Sequence, residues 1–100
     1  MIYITQLIYV KAGCEQIFHQ FEDVAIPIIS KYNGALLLRV RPPKDAIIYA
    51  ETEAPYEIHL VSFDTEKDFA AFKLDEERKQ FLHLKEQSIS SVLMLQGNAI

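Results

Sequence analysis

The first ten residues carry apolar side chains on both faces of any strand that they form. Met1–Val10 is rich in Ile, Tyr and Val and has no helical period, which is typical of a β-strand. Successive side chains of a strand point to opposite faces, and a half-exposed antiparallel strand should be polar on one of them. Both faces of this strand therefore require cover. One face would hold Ile2, Ile4, Ile8 and Val10, and the other Tyr3, Leu7 and Tyr9.

Two later segments repeat this double apolar pattern. Ala35–Val40 offers leucine on both faces, and Ile89–Gln96 does so near the end of the chain. A sheet built from these strands would be apolar on both sides. The alternating sets are Leu36, Leu38 and Val40 against Leu37 in the second strand, and Leu93 and Leu95 against Val92 and Met94 in the last one.

The segments between the strands predict helices and turns. Apolar residues recur at three- and four-residue spacing from Ile17 to Tyr32, which predicts a helix that buries one apolar face against the rest of the protein. We expect Gly34 to end it in a left-handed conformation. After the second strand, Pro42 and Pro43 interrupt the chain, and Ala46–Ala50 could resume the strand.

The second half of the chain predicts a strand, a broken helix and a last strand. Tyr56–Phe63 is the third strand, and Thr65 is suited to cap the following helix, which we expect to break near Leu74 and to end near Gln87. The resulting order β-α-β-β-α-β predicts an α+β, ferredoxin-like fold with a four-stranded antiparallel sheet. We interpret residues 1–100 as one domain.

Both helices of this arrangement lie on the same side of the sheet, because the crossover connections are right-handed. The other side would then be a large exposed apolar patch. A second copy related by a two-fold axis could cover it, with Tyr3, Leu7 and Tyr9 at the interface. Alternatively, the chain's own segment from Arg41 to Pro55 could cover this side.

Composition and charge argue against several classes of partner. The chain has a formal charge of -4 and no cluster of Lys and Arg along the sequence, so nucleic-acid binding is disfavoured. The longest apolar runs are too short to span a bilayer, and the N-terminus lacks the pattern of a signal peptide. The single Cys14 cannot form an internal disulfide. We therefore expect a cytoplasmic protein with no membrane anchor.

Several short motifs resemble the dimeric α/β-barrel superfamily. They are Ile2-Tyr3, Lys11-Ala12-Gly13, Ala25–Ile28 with Ser30–Tyr32, and His59-Leu60 with Phe63–Thr65. The most similar branches are the NIPSNAP-like and antibiotic-biosynthesis-monooxygenase-like families and small uncharacterised relatives.

The resemblance implies that two sheets pair into a barrel. It also implies a cavity beside the sheet for a small hydrophobic molecule, which some members oxidise without a cofactor, while others bind haem. The haem-degrading and quinol-oxidising branches typically use a Trp. This chain has no Trp, and Val61 follows His59-Leu60 where the family has an aromatic residue. We expect no cofactor.

Glu57 and His59 are the best candidates for catalysis. They share one face of the third strand, which is central in this topology, so two titratable groups lie where apolar residues are expected. A carboxylate beside an imidazole can tune it as a general base. Alternatively, the two residues form a polar pair at the dimer interface. We predict a ligand site made of Tyr9, His59 and Glu57.

The other polar candidates are weaker. His19 lies near Glu15, Glu22 and Asp23 on what we expect to be an exposed helix face, where surface pairs are more common than metal ligands, so we predict no metal site. We interpret His83 in the same way, Cys14 as a turn residue, and Asp75–Lys79 as a solvated helix start. Arg39 and Arg41 should share a face of an edge strand, where they block aggregation or bind an anionic ligand.

Two functions from different classes remain. The first is a small homodimer that binds a small hydrophobic molecule. The alternative is a cofactor-independent monooxygenase or isomerase that acts on an aromatic or hydrophobic substrate. The enzyme predicts a mostly apolar cavity with His59 or Glu57 facing into it, whereas the binding protein predicts a filled cavity or these residues at the interface.

Overall fold

Four antiparallel strands and four helices make up the fold in the computed structural model, which describes residues 1–100. The chain runs β-α-β-β-α-α-α-β, as the sequence predicts except that the second helical region is divided into three. The elements are β1 (Ile2–Val10), α1 (Glu15–Ile28), β2 (Gly34–Val40), β3 (Glu57–Phe63), α2 (Glu66–Lys73), α3 (Glu76–Gln80), α4 (Leu82–Ser88) and β4 (Ile89–Gly97).

The strands are ordered β2-β3-β1-β4, and every neighbouring pair is antiparallel. This order confirms the predicted α+β, ferredoxin-like fold and places β3 in the interior of the sheet. The core lies between one face of the sheet and the helices. Its residues are Ile4, Val61 and Phe63 from the strands and Ile28, Ile29, Phe69 and Phe72 from the helical segments.

Alternate side chains of β1 face the helices and the opposite side of the sheet, as predicted. Ile4 and Ile8 are almost fully buried against the helices, whereas Tyr3 pairs with Ser62 and Leu7 with Ile58 on the opposite face. We call this opposite face the open face. Its leucines at 38, 93 and 95 are 50%, 53% and 56% exposed. The open face is thus a broad apolar surface. It includes Tyr3, Leu7, Tyr9, Leu38, Val40, Ile58, Leu60, Leu93 and Leu95.

The prediction that Leu36 and Leu38 share a face is wrong. The register between β2 and β3 shifts between these two residues, so Leu36 pairs with Val61 on the helix side and Leu38 pairs with Leu60 on the open face. One extra residue in an antiparallel pair reverses the alternation beyond it. The same irregularity directs Arg39, which pairs with His59, towards the helix side.

Asn33, not Gly34, carries the left-handed conformation at the end of the first helical segment. Beyond α1 the chain tightens into a 3₁₀ turn over Ile29–Tyr32, and Asn33 has φ 57°. Gly34 begins β2 and is needed for a different reason. A Cβ there would lie 2.6 Å from the Phe63 ring and 2.7 Å from Ile29, so only glycine lets the strand approach the core this closely.

The segment between β2 and β3 forms no strand, so the suggestion that Ala46–Ala50 resumes β2 is wrong. Pro42 and Pro43 lack the N–H groups of a strand ladder, and the chain makes one 3₁₀ turn at Lys44–Ala46 instead. Ile48 is fully exposed. Because the leucines of the open face remain exposed, this segment does not cover the sheet.

The predicted cap and break in the second helical region are confirmed. Thr65 and Asp68 form a reciprocal capping box at the start of α2, which ends at Lys73 before Leu74. Asp75 caps α3 and accepts a 2.6 Å hydrogen bond from the Tyr32 hydroxyl, so it is buried rather than solvated. None of the helices has the length and apolar composition needed to cross a membrane.

Candidate functional site

A cavity of about 210 Å³ lies between the helix side of the sheet and the helices. Eleven of its 17 lining residues are hydrophobic, so its walls are mostly apolar. An apolar cavity of about 150 Å³ holds benzene, which indicates that this one has room for a single aromatic ring. Its polar lining residues are Gln6, Glu22, His59, Lys73, Arg78 and Lys85.

Glu57 is held by two arginines from the neighbouring strand and the segment that follows it. Arg39 donates from Nε to Oε1 at 2.8 Å and from Nη2 to Oε2 at 3.3 Å, and Arg41 donates from Nε to Oε2 at 3.0 Å. The Glu57 side chain is 1% exposed. Burial opposes its ionisation, but the hydrogen bonds from Arg39, His59 and Arg41 outweigh burial and lower its pKa to about 2. Glu57 is therefore a carboxylate at neutral pH.

The charge on Glu57 fixes the tautomer of His59. The two side chains lie 2.7 Å apart, between Nε2 of His59 and Oε1 of Glu57. Because a carboxylate only accepts hydrogen bonds, Nε2 must carry the proton and donate it. Burial is the main cause that lowers the pKa of His59, against the opposing effect of Glu57, so the ring is neutral at neutral pH. Nδ1 is then an unprotonated nitrogen.

Glu22 faces this free nitrogen from α1. Its Oε2 lies 4.0 Å from Nδ1 of His59, and the residue is only 7% exposed. Burial raises the pKa of Glu22 to about 7, because the positive charge of Arg39 offsets only part of the cost of burying a carboxylate. Near neutral pH the Glu22 carboxyl is thus divided between its acid and base forms.

These three residues form an acid–base arrangement beside an apolar cavity. Glu57 orients His59, whose Nδ1 is available as a base, and Glu22 can supply or accept a proton on the same side of the ring. Efficient proton transfer needs groups whose pKa values lie near the working pH and whose positions are fixed. Separated pKa values of two nearby carboxyl groups, about 2 and about 7, give them different roles.

The structure brings together Glu57 and His59 but not Tyr9. The first two are buried on the helix side of β3, and their hydrogen bonds are made within the chain. Tyr9 belongs to the opposite parity of β1 and pairs with Ser91 on the open face. A single ligand site containing Tyr9, His59 and Glu57 is therefore incompatible with the sheet, because alternating strand residues face opposite sides. Tyr3 and Leu7 lie with Tyr9 on the open face.

His19 does not form the expected surface cluster with Glu22. Its Nε2 lies 2.7 Å from the hydroxyl of Tyr56, and the two rings stack. Arg41 lies over the same Tyr56 ring at 5.0 Å. His19 therefore supports the position of one arginine that holds Glu57. His83 is exposed beside Phe81, and Cys14 is the half-buried residue that precedes α1.

Five of the six polar residues of the cavity were not predicted as site residues from the sequence: Gln6, Glu22, Lys73, Arg78 and Lys85. The spacing offered a signal for Glu22, which lies four residues after Phe18 and three before Ala25 on the buried stripe of α1. Arg78 and Lys85 are placed by the division of the second helical region into short helices that change direction. No regular sequence pattern specifies that geometry.

Comparison with solved structures shows that other proteins share this fold. A protein of unknown function from Rhodopseudomonas palustris superposes with a TM-score of 0.82 at 7% sequence identity and covers 99% of this chain and 82% of its own. A NIPSNAP domain protein from Burkholderia xenovorans superposes with a TM-score of 0.71 at 12% sequence identity, over 100% of this chain and 95% of its own length. A protein from Nitrosomonas europaea that is described as an antibiotic biosynthesis monooxygenase superposes with a TM-score of 0.76 at 12% sequence identity, over 100% of this chain and 99% of its own length.

The likeness is one of fold. It confirms the resemblance to NIPSNAP-like and antibiotic-biosynthesis-monooxygenase-like proteins at the level of structure. No family model matches the sequence, and no curated protein matches it. Because one fold supports many unrelated activities, function has to be argued from the cavity and its residues.

Replacement of Glu22 by glutamine should change the pH dependence of stability. The folded-state pKa of about 7 lies above the usual 4.5, so the wild-type protein loses stability as the pH rises from about 4.5 to 7. The Glu22→Gln variant has no carboxyl group at this position, so it should not lose this stability as the pH rises. In urea unfolding we expect the variant to be more stable than wild type at pH 8 by up to about 3 kcal/mol, with little difference at pH 4.

Glu53→Gln is the matched control, because Glu53 is exposed in the segment between β2 and β3. It should change stability by less than about 0.5 kcal/mol at either pH. If Glu22→Gln were less stable than wild type by the same amount at pH 4 and pH 8, the buried carboxyl would not titrate as described.

Proposed function

We propose that this protein binds a small hydrophobic molecule in the cavity and catalyses proton transfer on that molecule. His59 acts as the base and Glu22 as the acid. The observation that supports this most strongly is the oriented imidazole of His59. This residue lines a mostly apolar cavity, Glu57 fixes its ring, and its unprotonated Nδ1 faces Glu22. A binding protein has no need for an oriented imidazole and a second carboxyl of near-neutral pKa.

The size of the cavity limits the ligand. At about 210 Å³ it is smaller than the roughly 300–1,000 Å³ of sites for larger ligands, so a single-ring molecule fits and haem does not. Phe21, Val61, Phe63, Phe69 and Phe72 supply the walls against which such a ring would pack.

The chemistry follows from the positions of the two groups. Nδ1 of His59 removes a proton from a carbon beside a carbonyl group, and the electron pair of the broken C–H bond forms the C=C bond of an enol. The protonated Glu22 donates its proton to the carbonyl oxygen. Where the enol is conjugated with a second C=C bond, the protonated His59 returns the proton to the far carbon of that dienol and the C=C bond shifts. The enol O–H gives its proton back to the Glu22 carboxylate as the C=O bond re-forms, which completes an isomerisation. A cofactor-independent monooxygenase begins with the same proton removal, so this first step is what the geometry supports for both activities.

Hydrogen–deuterium exchange tests this step. Phenylacetone and phenylpyruvate carry one ring and an enolisable carbon, and proton NMR in D₂O follows the loss of the signal at that carbon. We expect the protein to accelerate exchange of at least one probe over buffer. His59→Asn should reduce the acceleration about 100-fold or more, since a positioned general base contributes about that factor. His83→Asn is the control, because His83 is an exposed histidine away from the cavity.

The outcomes separate the two functions. Exchange no faster than in buffer with both probes would contradict proton transfer. Binding of either probe, seen as chemical-shift changes of Val61 or Phe63, would then favour the binding protein. Equal activity of wild type and His59→Asn would exclude His59 as the base.

We also propose that the protein is a homodimer, formed by the open faces of two copies related by a two-fold axis. The argument is physical. The open face exposes leucines at positions 38, 93 and 95, and a patch of this extent exceeds what monomers usually leave in water. Tyr3 and Tyr9 add rings with hydroxyl groups that suit an interface. The site containing His59 lies on the other side of the sheet, so each copy keeps its own cavity.

Each copy would contribute residues 1–100 as one domain of this dimer. A cytoplasmic location is also proposed, and the lone Cys14 supports it, because secreted domains of this size commonly depend on disulfides.

Leu93→Lys should weaken the dimer. Leu93 lies halfway along the edge strand β4, pairs with Leu7 on the open face and is 53% exposed, so the substitution places a charge where the second copy would pack. Sedimentation at micromolar concentration should give a dimer for wild type and a monomer for the variant. Ile48→Lys makes a similar change at a fully exposed apolar residue outside the sheet and should remain dimeric. A monomeric wild-type protein would contradict the proposal.

A further inference from the structure

Three cationic residues line the cavity. Lys73 ends α2, Arg78 belongs to α3 and Lys85 to α4. Lys73 is exposed, Arg78 and Lys85 are half-buried, and Glu22 and His59 are buried. The cavity thus holds two partly buried cations beside the buried acid–base pair.

Arg78 has hydrogen-bond donors with no acceptor. Its guanidinium lies 5.1 Å from the centre of the Phe72 ring and 5.8 Å from that of Phe21, which holds it in place. Nη1 donates to the backbone carbonyl of Lys73 at 3.2 Å, while the buried Nε has no partner in the chain. A buried donor without an acceptor is costly, so this arrangement favours a ligand that supplies one.

Lys85 is a second cation without a partner. It forms no ion pair with any carboxylate of the chain, and burial is the main cause that lowers its pKa, followed by the positive charge of Arg78. Glu22 attracts both cations but lies within 4.0 Å of neither. Two like charges near each other in a partly buried site are unfavourable unless an anion lies between them.

The local charge differs in sign from that of the whole chain. The protein carries a formal charge of -4, yet the cavity wall has the cations Lys73, Arg78 and Lys85 against the single carboxyl of Glu22. The nearby carboxylate of Glu57 is already bound by Arg39 and Arg41. The fold thus gathers positive charge from separate helices into one cavity, which attracts anions.

We propose that the ligand of this cavity is a single-ring molecule that carries a carboxylate, and that Arg78 and Lys85 bind the carboxylate while the ring packs on the apolar walls. Arg78 is suited to a carboxylate because its guanidinium offers several N–H donors in one plane. This inference rests on the proposed function, in which His59 acts on a ligand bound in the same cavity. It adds the chemical class of the substrate.

Paired ligands test the inference without turnover. Phenylacetate and phenylacetamide have the same ring and shape, but only the first carries a charge. By isothermal titration calorimetry or NMR titration at pH 7 and low salt, we expect phenylacetate to bind about tenfold or more tightly, since a charge-assisted hydrogen bond is stronger than a neutral one. Added salt should reduce this preference because it screens the charges.

Two variants identify the residues responsible. Lys85→Met and Arg78→Met should each reduce the preference for phenylacetate about tenfold and leave the affinity for phenylacetamide nearly unchanged. Methionine keeps the apolar packing beside Phe21 and Phe72. Lys79→Met is the matched control, because Lys79 is exposed and its ion pair is with the exposed Glu76. It should retain the full preference.

The outcomes distinguish this inference from the proposed function. Equal binding of both ligands to wild type, or an undiminished preference in Lys85→Met and Arg78→Met, would overturn the carboxylate site while leaving proton transfer on phenylacetone possible. No binding of either ligand would overturn the carboxylate site as well. If Arg78→Met does not fold, Lys85→Met alone decides. His59→Asn should keep the preference, because the neutral His59 ring is bound to Glu57 and is not one of the two cations proposed to bind the carboxylate.

Discussion

The buried carboxylate of Glu57 is the interaction on which the site depends. It lies in the interior strand of the sheet, where an unpaired charge would cost several kcal/mol. Arg39 and Arg41 offset that cost with hydrogen bonds to both oxygens. The same carboxylate fixes the proton of His59 on Nε2 and leaves Nδ1 unprotonated on the side of Glu22. One ion-pair network therefore stabilises the strand pairing and prepares the base.

Much of the fold was predictable because its signals are local. Alternation in β1 separated the residues that meet the helices from those of the open face, and Thr65 marked the start of α2. The same alternation placed Glu57 and His59 on one face of β3. Their partners required knowledge of the sheet: only the register shift near Leu37 directs Arg39 to the side of Glu57, and a single irregular residue leaves no reliable trace in the sequence.

The cavity was harder to predict than the sheet that supports it. Glu22 resembles a surface residue because charged residues on helices are usually exposed, although its position on the apolar stripe of α1 indicates burial. Arg78 and Lys85 belong to short helices whose directions are set by packing against α1. The two faces of the sheet thus have different roles: the helix side holds the polar site, and the apolar open face is where we propose that a second copy packs.

The protonation of the His59 ring tests the account most directly. Nitrogen-15 NMR of the imidazole between pH 7 and 8 reports which ring nitrogen carries a proton. The structure predicts a neutral ring protonated on Nε2, with a bare Nδ1, and loss of this single tautomer in Glu57→Gln, because an amide can also donate. A ring protonated on both nitrogens at pH 7, or protonated on Nδ1 alone in the wild-type protein, would contradict it.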